Sequence, residues 1–281
     1  MSVRIVTDST ADLPKEKATG LGICVIPLLV QFGDETYRDG VDLDNAAFYS
    51  RLANSKEIPT TATLPAAKFE EVYREVLADG ADGILAIFIS SAMSSTYNSG
   101  LMAAQTLQKE GVAIEVLDSH SVSAGMGIPV EAAAQAALEG KSLAECKAVA
   151  EDVMARMHVF AVLETLEYLQ RGGRIGRAQQ LVGTLLNVKP ILAVREGMVQ
   201  PLDRVRTRSK AYERLAELLR QIGPIERLGI AESNEELGQQ LTQVLQTVYA
   251  GPIEHYPLGP AVGTHAGPGT AAICAVTKHQ P

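Results

Sequence analysis

The chain has 281 residues, of which 46% are hydrophobic and 21% charged, and its formal net charge is -8. This composition is typical of globular proteins rather than disordered ones, and the length is sufficient for two domains. The acidic balance disfavours broad electrostatic binding to nucleic acid or to anionic membranes. Three scattered cysteines, Cys24, Cys146 and Cys274, predict reduced thiols rather than a disulfide framework.

Nothing in the sequence predicts export or membrane insertion. The N-terminal residues lack a long apolar run and soon reach Asp8, so we expect no signal peptide. The most apolar segment, "LGICVIPLLVQF" (21–32), contains Pro27 and is too short to span a bilayer. We therefore expect a cytoplasmic protein without stable membrane insertion.

In the first half of the chain, short apolar runs alternate with helical patterns. The runs "VRIV" (3–6), "GILAIFI" (83–89) and "VAIEVLDS" (112–119) predict strands, and Pro27 demotes the middle of "ICVIPLLV" to an edge or a bend. Asp44 is a candidate N-cap for the helix that follows it. This alternation predicts a doubly wound α/β domain over residues 1–158.

The pattern changes in the second half. Ser142 and Glu145 have capping-box spacing, as do Ser233 and Glu236, and each pair predicts a helix start. Between them, one short helix is ended by Gly172-Gly173, and several extended segments follow. We predict a second, α+β domain over residues 159–281.

Two hydroxyl-rich segments precede helices of the first half. "ISSAMSSTYNSG" (89–100) follows a buried strand, where backbone N–H groups at a helix N-terminus can bind an anion, and Ser94 and Ser95 are the candidates. "IPTTATLP" (58–65) contains three threonines, Thr60, Thr61 and Thr63, and this second segment could meet the first at the strand ends. Ordinary N-capping and turn formation are the alternative explanations for both segments.

Two further segments are rich in arginine. Arg174, in "EYLQRGGRIGR", could form a bidentate contact with a carboxylate or phosphate, or it could simply follow a helix C-terminus. Arg204, Arg206 and Arg208 lie in an otherwise acidic protein. They are either a solvated hairpin and helix start or a docking surface for an acidic partner.

His265 lies in "GTHAGPG" (263–269), outside any helical pattern. No second histidine, cysteine or carboxylate stands at metal-ligand spacing from it, and we expect no metal site. The sequence also lacks a P-loop, an intact G-x-G-x-x-G and a G-x-S-x-G motif, so we expect no cofactor.

Taken in order, these segments resemble the DegV family of bacterial fatty-acid-binding proteins over about residues 3–279. The resemblance is carried by "VRIVTDSTADLP", "YRDG", "IPTT", "ISSAMSSTYNSG", "LDSHSVSAGMG", "LEYLQRGGRI", "LLNVKPIL" and "GTHAGPG". It implies two α/β lobes that hold a long-chain fatty acid, such as palmitate, between them.

The resemblance also implies roles for individual residues. Thr61, Ser94, Arg174 and His265 occupy the positions of the family's hydroxyl, arginine and histidine motifs, and His265 would donate a hydrogen bond to the carboxylate. The flanking glycines would let the backbone approach that carboxylate closely. Three positions depart from the family's motifs: Thr61-Ala62-Thr63-Leu64 stands where the family has T-S-Q-P, Ser95 where it has glycine, and Gly100 where it has alanine. Thr63 could replace a lost polar contact.

The resemblance implies a lipid-binding carrier rather than an enzyme. Some family members present the fatty acid to an ATP-dependent kinase, which makes acyl phosphate for phospholipid synthesis, and Arg206 is the candidate docking residue. One alternative is a small-molecule transferase related to dihydroxyacetone kinases, in which a histidine binds a small carbonyl substrate. Another is a lipid-sensing regulator without a kinase partner.

Overall fold

A computed structural model describes residues 2–55, 57–181 and 188–279, which form three β-sheets and the helices around them. The strands are β1 (Val3–Asp8), β2 (Cys24–Ile26), β3 (Leu29–Phe32), β4 (Glu35–Arg38), β5 (Thr60–Ala62), β6 (Gly83–Phe88), β7 (Ala113–Asp118), β8 (Met157–Val162), β9 (Lys189–Arg195), β10 (Met198–Val205), β11 (Ile225–Glu232), β12 (Ile253–Pro257) and β13 (Ala271–Thr277). The helices are α1 (Lys15–Gly20), α2 (Asn45–Asn54), α3 (Ala66–Ala78), α4 (Thr96–Lys109), α5 (Ala124–Leu138), α6 (Leu143–Ala155), α7 (Glu167–Arg171), α8 (Arg208–Gln221), α9 (Glu235–Leu245) and α10 (Pro260–Ala266).

The first sheet is parallel, with the strand order β2-β1-β6-β7. Helices α3 and α4 pack on one face through Phe69 and Leu107, whereas α5 and α6 pack on the other through Val130 and Ala150. Because both faces are covered, every residue of β6 is buried, which explains why its sequence shows no alternation. The predicted doubly wound arrangement is therefore confirmed.

The second sheet is mixed, with the order β10-β9-β8-β13-β11-β12, in which β11 and β12 pair in parallel and the other neighbours are antiparallel. Helices α8 and α9 cover its outer face, where Leu215 and Leu241 pack against Ile273. Its inner face is turned toward α5, and Ile128 and Cys274 belong to one buried cluster there. Helix α5 thus lies between the two sheets and is buried along nearly its whole length.

A third, antiparallel sheet of order β4-β3-β5 was not predicted. Pro27 divides "ICVIPLLV" as expected: β2 forms an edge of the parallel sheet, and the chain resumes as β3 in the small sheet. Val30 and Phe48 form the core of this unit together with Ala261, which comes from α10. Helix α10 therefore completes a hydrophobic core whose other buried residues lie between positions 28 and 52.

Two of the three predicted helix N-termini are confirmed by the hydrogen bonds in the structure. Asp44 caps α2 by accepting a hydrogen bond from the Ala47 N–H at 2.8 Å, and the Ser142–Glu145 capping box is present. The Ser233–Glu236 box was wrong, because Asn234 caps α9 instead, accepting from the Leu237 N–H at 3.0 Å.

The domain boundary stays a prediction, although the mixed sheet begins with β8 slightly before residue 159. Of the motif "LLNVKPIL", residues 185–187 lie outside the described residues, and the part from Lys189 onward forms the start of β9. In the described ranges, no helix combines the length and the apolar character needed to cross a bilayer.

Candidate ligand-binding site

A cavity lies between the inner face of the mixed sheet and the edge of the parallel sheet. It encloses about 1010 Å³ that no protein atom fills, and part of this space is open to solvent. Most lining side chains are apolar, for example Ile89 and Val122 from the first half of the chain and Ala161, Leu192 and Cys274 from the mixed sheet. Burial raises the pKa of the Cys274 thiol to about 12, so this side chain is neutral and forms part of the apolar wall.

Four of the predicted site residues line this cavity: Thr61, Ser94, Arg174 and His265. Thr61 lies on β5 rather than in a loop, Ser94 lies just before α4, and Arg174 follows α7. The fold thus brings together residues from four separate segments.

His265 lies near the end of helix α10, so its predicted position outside any helix was wrong. Pro260 occupies the first turn, where its fixed backbone angle favours a helix start, and Gly267, with φ of 76°, ends the helix. The helix has only seven residues, two of them glycine or proline, and is held by packing against the small sheet and α7. Such a short element leaves no periodic pattern in the sequence.

The His265 ring is largely buried and makes one hydrogen bond within the described part of the chain. Its Nε2 atom lies 2.8 Å from the Thr61 Oγ1, whereas the buried Nδ1 atom has no hydrogen-bond partner among the described residues. Burial, with the nearby positive charge of Arg174, lowers the pKa of His265 to about 4. The imidazole is therefore neutral at neutral pH and carries one N–H donor.

Glycines shape the surroundings of this ring. A Cβ atom on Gly172 would lie 2.2 Å from the His265 Nδ1, so only glycine fits there without moving the histidine. The glycines that flank His265 serve packing: a Cβ on Gly263 would meet Phe48, and one on Gly267 would meet Tyr168. Contacts with aromatic rings, and for Gly267 also its positive φ, account for these two glycines in the structure; the predicted close approach to a ligand stays a prediction.

Hydroxyl groups form a chain beside the cavity. The Ser94 Oγ lies 2.9 Å from the Thr96 Oγ1, which in turn donates to the Thr63 Oγ1 at 2.9 Å. Sequence reasoning missed Thr96, although it belongs to the same hydroxyl-rich segment; it is fully buried and joins the two predicted loops. Thr63 is therefore linked to Ser94 without lining the cavity itself. Ser95 is exposed and does not line the cavity.

Arg174 is the only cationic side chain among the residues that the structure shows lining the cavity. Its Nε donates to the Met93 carbonyl at 3.1 Å, and its Nη1 donates to the Gly172 carbonyl at 2.6 Å. No acidic side chain in the described ranges pairs with it. A partly buried guanidinium that is compensated only by carbonyl groups favours an anion at this end of the cavity.

Three buried carboxylates that the sequence did not single out as site residues support the surrounding backbone. Asp8 accepts from the Ile89 N–H at 3.0 Å, and Asp12 accepts from the Gly259 N–H, next to the start of α10, at 2.8 Å. Burial raises the pKa of Asp39, on the same side of Gly259, to about 6. None of the three lines the cavity, and their contacts indicate that they position α10 and the end of β6.

The three arginines of the predicted docking segment, Arg204, Arg206 and Arg208, differ in their surroundings. Arg208 pairs with Glu164 at 2.5 Å and donates to the Gly269 carbonyl at 2.8 Å, so it holds the turn that follows α10. Arg204 and Arg206 are exposed. Elsewhere in the described part of the chain, no group of three or more histidine, cysteine or acidic side chains is arranged to hold a metal ion.

A sequence profile described as "Uncharacterised protein, DegV family" matches residues 2–278. The chain belongs to the DegV family. Protein DegV of Bacillus subtilis is 33% identical over 282 aligned residues, which cover 98% of this chain and 99% of that protein. A DegV domain-containing protein of Caldanaerobacter subterraneus is 32% identical and covers 96% of this chain and 97% of its own.

Solved structures of DegV proteins share the fold of this family member. A protein from Thermus thermophilus, described by its fatty-acid binding, is 33% identical with a TM-score of 0.91, covering 99% of this chain and 100% of its own. DegV of Bacillus subtilis, described as a fatty acid binding protein, has 33% identity and a TM-score of 0.86, with the same coverage. The predicted family and fold class are therefore confirmed.

Proposed function

We propose that this DegV protein binds a long-chain fatty acid in the cavity, with the carboxylate at the end formed by Arg174 and the acyl chain against the apolar walls. The observation that carries the proposal is the Arg174 guanidinium, which pairs with no acidic side chain among the described residues and lies at the hydroxyl-lined end of a largely apolar cavity. The fatty-acid-binding relatives of the same fold support it.

The polar end offers several donors to a carboxylate. The Thr61 and Ser94 hydroxyls, the neutral His265 ring and the Arg174 guanidinium all line the cavity, and Thr63 supports Ser94 through Thr96. A hydrogen bond to a charged group contributes about 1.5–3 kcal/mol. Burial of an acyl chain contributes about 0.8 kcal/mol per methylene. The chain therefore supplies most of the affinity, and the head group fixes the orientation.

In the proposed role the protein is a carrier and not an enzyme. The polar end binds and orients a carboxylate, and the sequence has no P-loop that would hold ATP. A separate ATP-dependent fatty-acid kinase would phosphorylate the bound acid, giving acyl phosphate for phospholipid synthesis. The exposed Arg206 is the proposed docking residue for that partner.

Extraction of the purified protein tests fatty-acid binding directly. Mass spectrometry of an organic extract should find a long-chain fatty acid close to stoichiometric with the wild-type protein. Ser94→Ala and His265→Ala should retain less, because each loses a donor at the polar end. Ser95→Ala is the matched control and should retain the wild-type amount, since Ser95 is exposed. Wild-type protein that carries a small ketone instead would favour the transferase alternative.

The neutral state of His265 predicts an affinity that is insensitive to pH. Burial lowers the pKa of His265 to about 4 in the ligand-free protein, so the ring is neutral between about pH 6 and pH 8 before binding. If it donates to the carboxylate in the same neutral state, the affinity for palmitate should change less than about twofold over this range. A histidine with the ordinary pKa of about 6.5 would lose its charge over this range, and the affinity would fall as the pH rises. Titration calorimetry with and without His265→Ala distinguishes the two behaviours.

Charge reversal tests the proposed docking residue. Arg206→Glu should lower the rate of acyl phosphate formation by the fatty-acid kinase of the source organism by about tenfold, with unchanged fatty-acid content, because rim charges act mainly on association. Lys109→Glu, at an exposed position on α4, is the control and should leave the rate unchanged. An unchanged rate in Arg206→Glu contradicts the assignment.

A further inference from the structure

Three alanines lie side by side on the cavity wall formed by the mixed sheet. Ala161 on β8 pairs in register with Ala272 on β13, which pairs with Ala231 on β11. All three line the cavity, so they form one row that crosses three neighbouring strands. Strands are about 4.8 Å apart, and the row therefore spans about 10 Å from Ala161 to Ala231.

Larger side chains close both ends of this alanine row. Leu192 on β9 pairs with Ala161, and Tyr256 on β12 pairs with Ala231. Leu192 is 3% exposed and Tyr256 is fully buried, so neither side chain leaves an opening beside the row. Leu192 also lines the cavity, and Tyr256 packs in the same buried cluster as Ala231.

Larger side chains also border the alanine row along its length. Val159 and Cys274 pair with each other one step along the strands, and Leu163 and Thr270 lie on the other side. On the opposite face of the sheet, the chain neighbours of the three alanines are Phe160, Ile230 and Ile273, which pack against α8 and α9. On the cavity face, Ala161 is partly exposed, Ala272 is 6% exposed and Ala231 is fully buried, so the free space beside the row narrows toward Ala231.

We propose that the acyl chain of the fatty acid lies along the alanine row. The size of the three alanine side chains then sets the longest fatty acid that the cavity accepts. This inference rests on the fatty-acid binding proposed above. In a close-packed interior, a row of methyl side chains leaves room that larger residues would fill. An unbranched chain that crosses the strands along the row fits between its taller borders.

Valine substitutions along the row test the inference. Ala161→Val, Ala272→Val and Ala231→Val should each weaken binding by about tenfold or more for acids above a length limit, and by less than about twofold below it. Calorimetry with saturated acids from decanoate to stearate measures the limits, which should follow the order of the row, with Ala272→Val in the middle. Ala271→Val is the control, because Ala271 is buried on the opposite face of the same strand.

Ala272→Gly keeps the test independent of any folding defect in the valine variants. It removes volume from the middle of the row and should leave the binding of laurate within about twofold while admitting longer acids than the wild type. Equal losses at every length, unchanged limits, or a limit for Ala272→Val outside the other two would overturn the inference while leaving fatty-acid binding intact. A wild-type protein that binds none of the acids would overturn both proposals.

Discussion

Arg174→Leu should weaken the binding of palmitate by about 10- to 100-fold, as measured by titration calorimetry. Arg174 is the cation at the polar end of the cavity, and the loss of a charge-assisted hydrogen bond costs about 1.5–3 kcal/mol. Methyl palmitate, which has no charge, should bind the wild type and the variant with affinities that differ by less than about threefold. The comparison therefore isolates the recognition of the carboxylate from the burial of the chain.

Two further variants separate charge from structure at this position. Arg174→Lys keeps the positive charge and should recover part of the affinity for palmitate, although lysine cannot reproduce the contacts to the Met93 and Gly172 carbonyls together. Arg171→Leu removes an exposed arginine that pairs with Glu167 and should bind palmitate like the wild type. Equal losses for palmitate and its methyl ester in Arg174→Leu would show that the arginine acts only on the fold.

Gly172→Ala should lower the free energy of unfolding by about 1–3 kcal/mol, the usual cost of inserting a methyl group into a filled interior. The added Cβ would lie 2.2 Å from the His265 Nδ1, so α7 and α10 cannot keep their present contact. The backbone of Gly172 is in the ordinary helical region, with φ of -74°, and the effect is therefore one of space. Chemical denaturation without ligand measures it.

A double-mutant cycle identifies the histidine as the cause. In the His265→Ala background the obstructing ring is absent, and Gly172→Ala should then cost less than about half of its effect in the wild type. Gly20→Ala is a control, because a Cβ there meets no atom within 4 Å. Equal costs of Gly172→Ala in both backgrounds would contradict the contact between the two residues.

The sequence predicted elements with a clear local pattern and missed those that depend on contacts with distant residues. Strands β6 and β7 have apolar runs long enough to be recognised, and both were predicted correctly. Helix α10 and the small sheet were not, because they are held by contacts with distant residues such as that between Phe48 and Ala261. Local patterns carry no information about such partners.

In the candidate site, too, the sequence indicated residues that lie in recognisable motifs but not those that depend on the three-dimensional fold. The resemblance to the family pointed to Thr61, Ser94, Arg174 and His265, and the structure brings these residues to one cavity. Thr96 was missed because a threonine at a helix start has a sufficient local explanation, and only the fold shows that it connects Ser94 with Thr63. The pKa of His265 could not be predicted either, since it depends on burial by segments far away in the chain.

The hydrogen bond between Thr61 and His265 joins residues that are 204 positions apart in the chain. During synthesis the first of these residues leaves the ribosome long before the second, and contacts of such sequence separation form late in folding. Under the proposed function, a nascent chain therefore has no complete head-group site until His265 has emerged. Free fatty acid would then stabilise only chains in which Thr61 and His265 have come together, in proportion to the logarithm of its concentration relative to the dissociation constant.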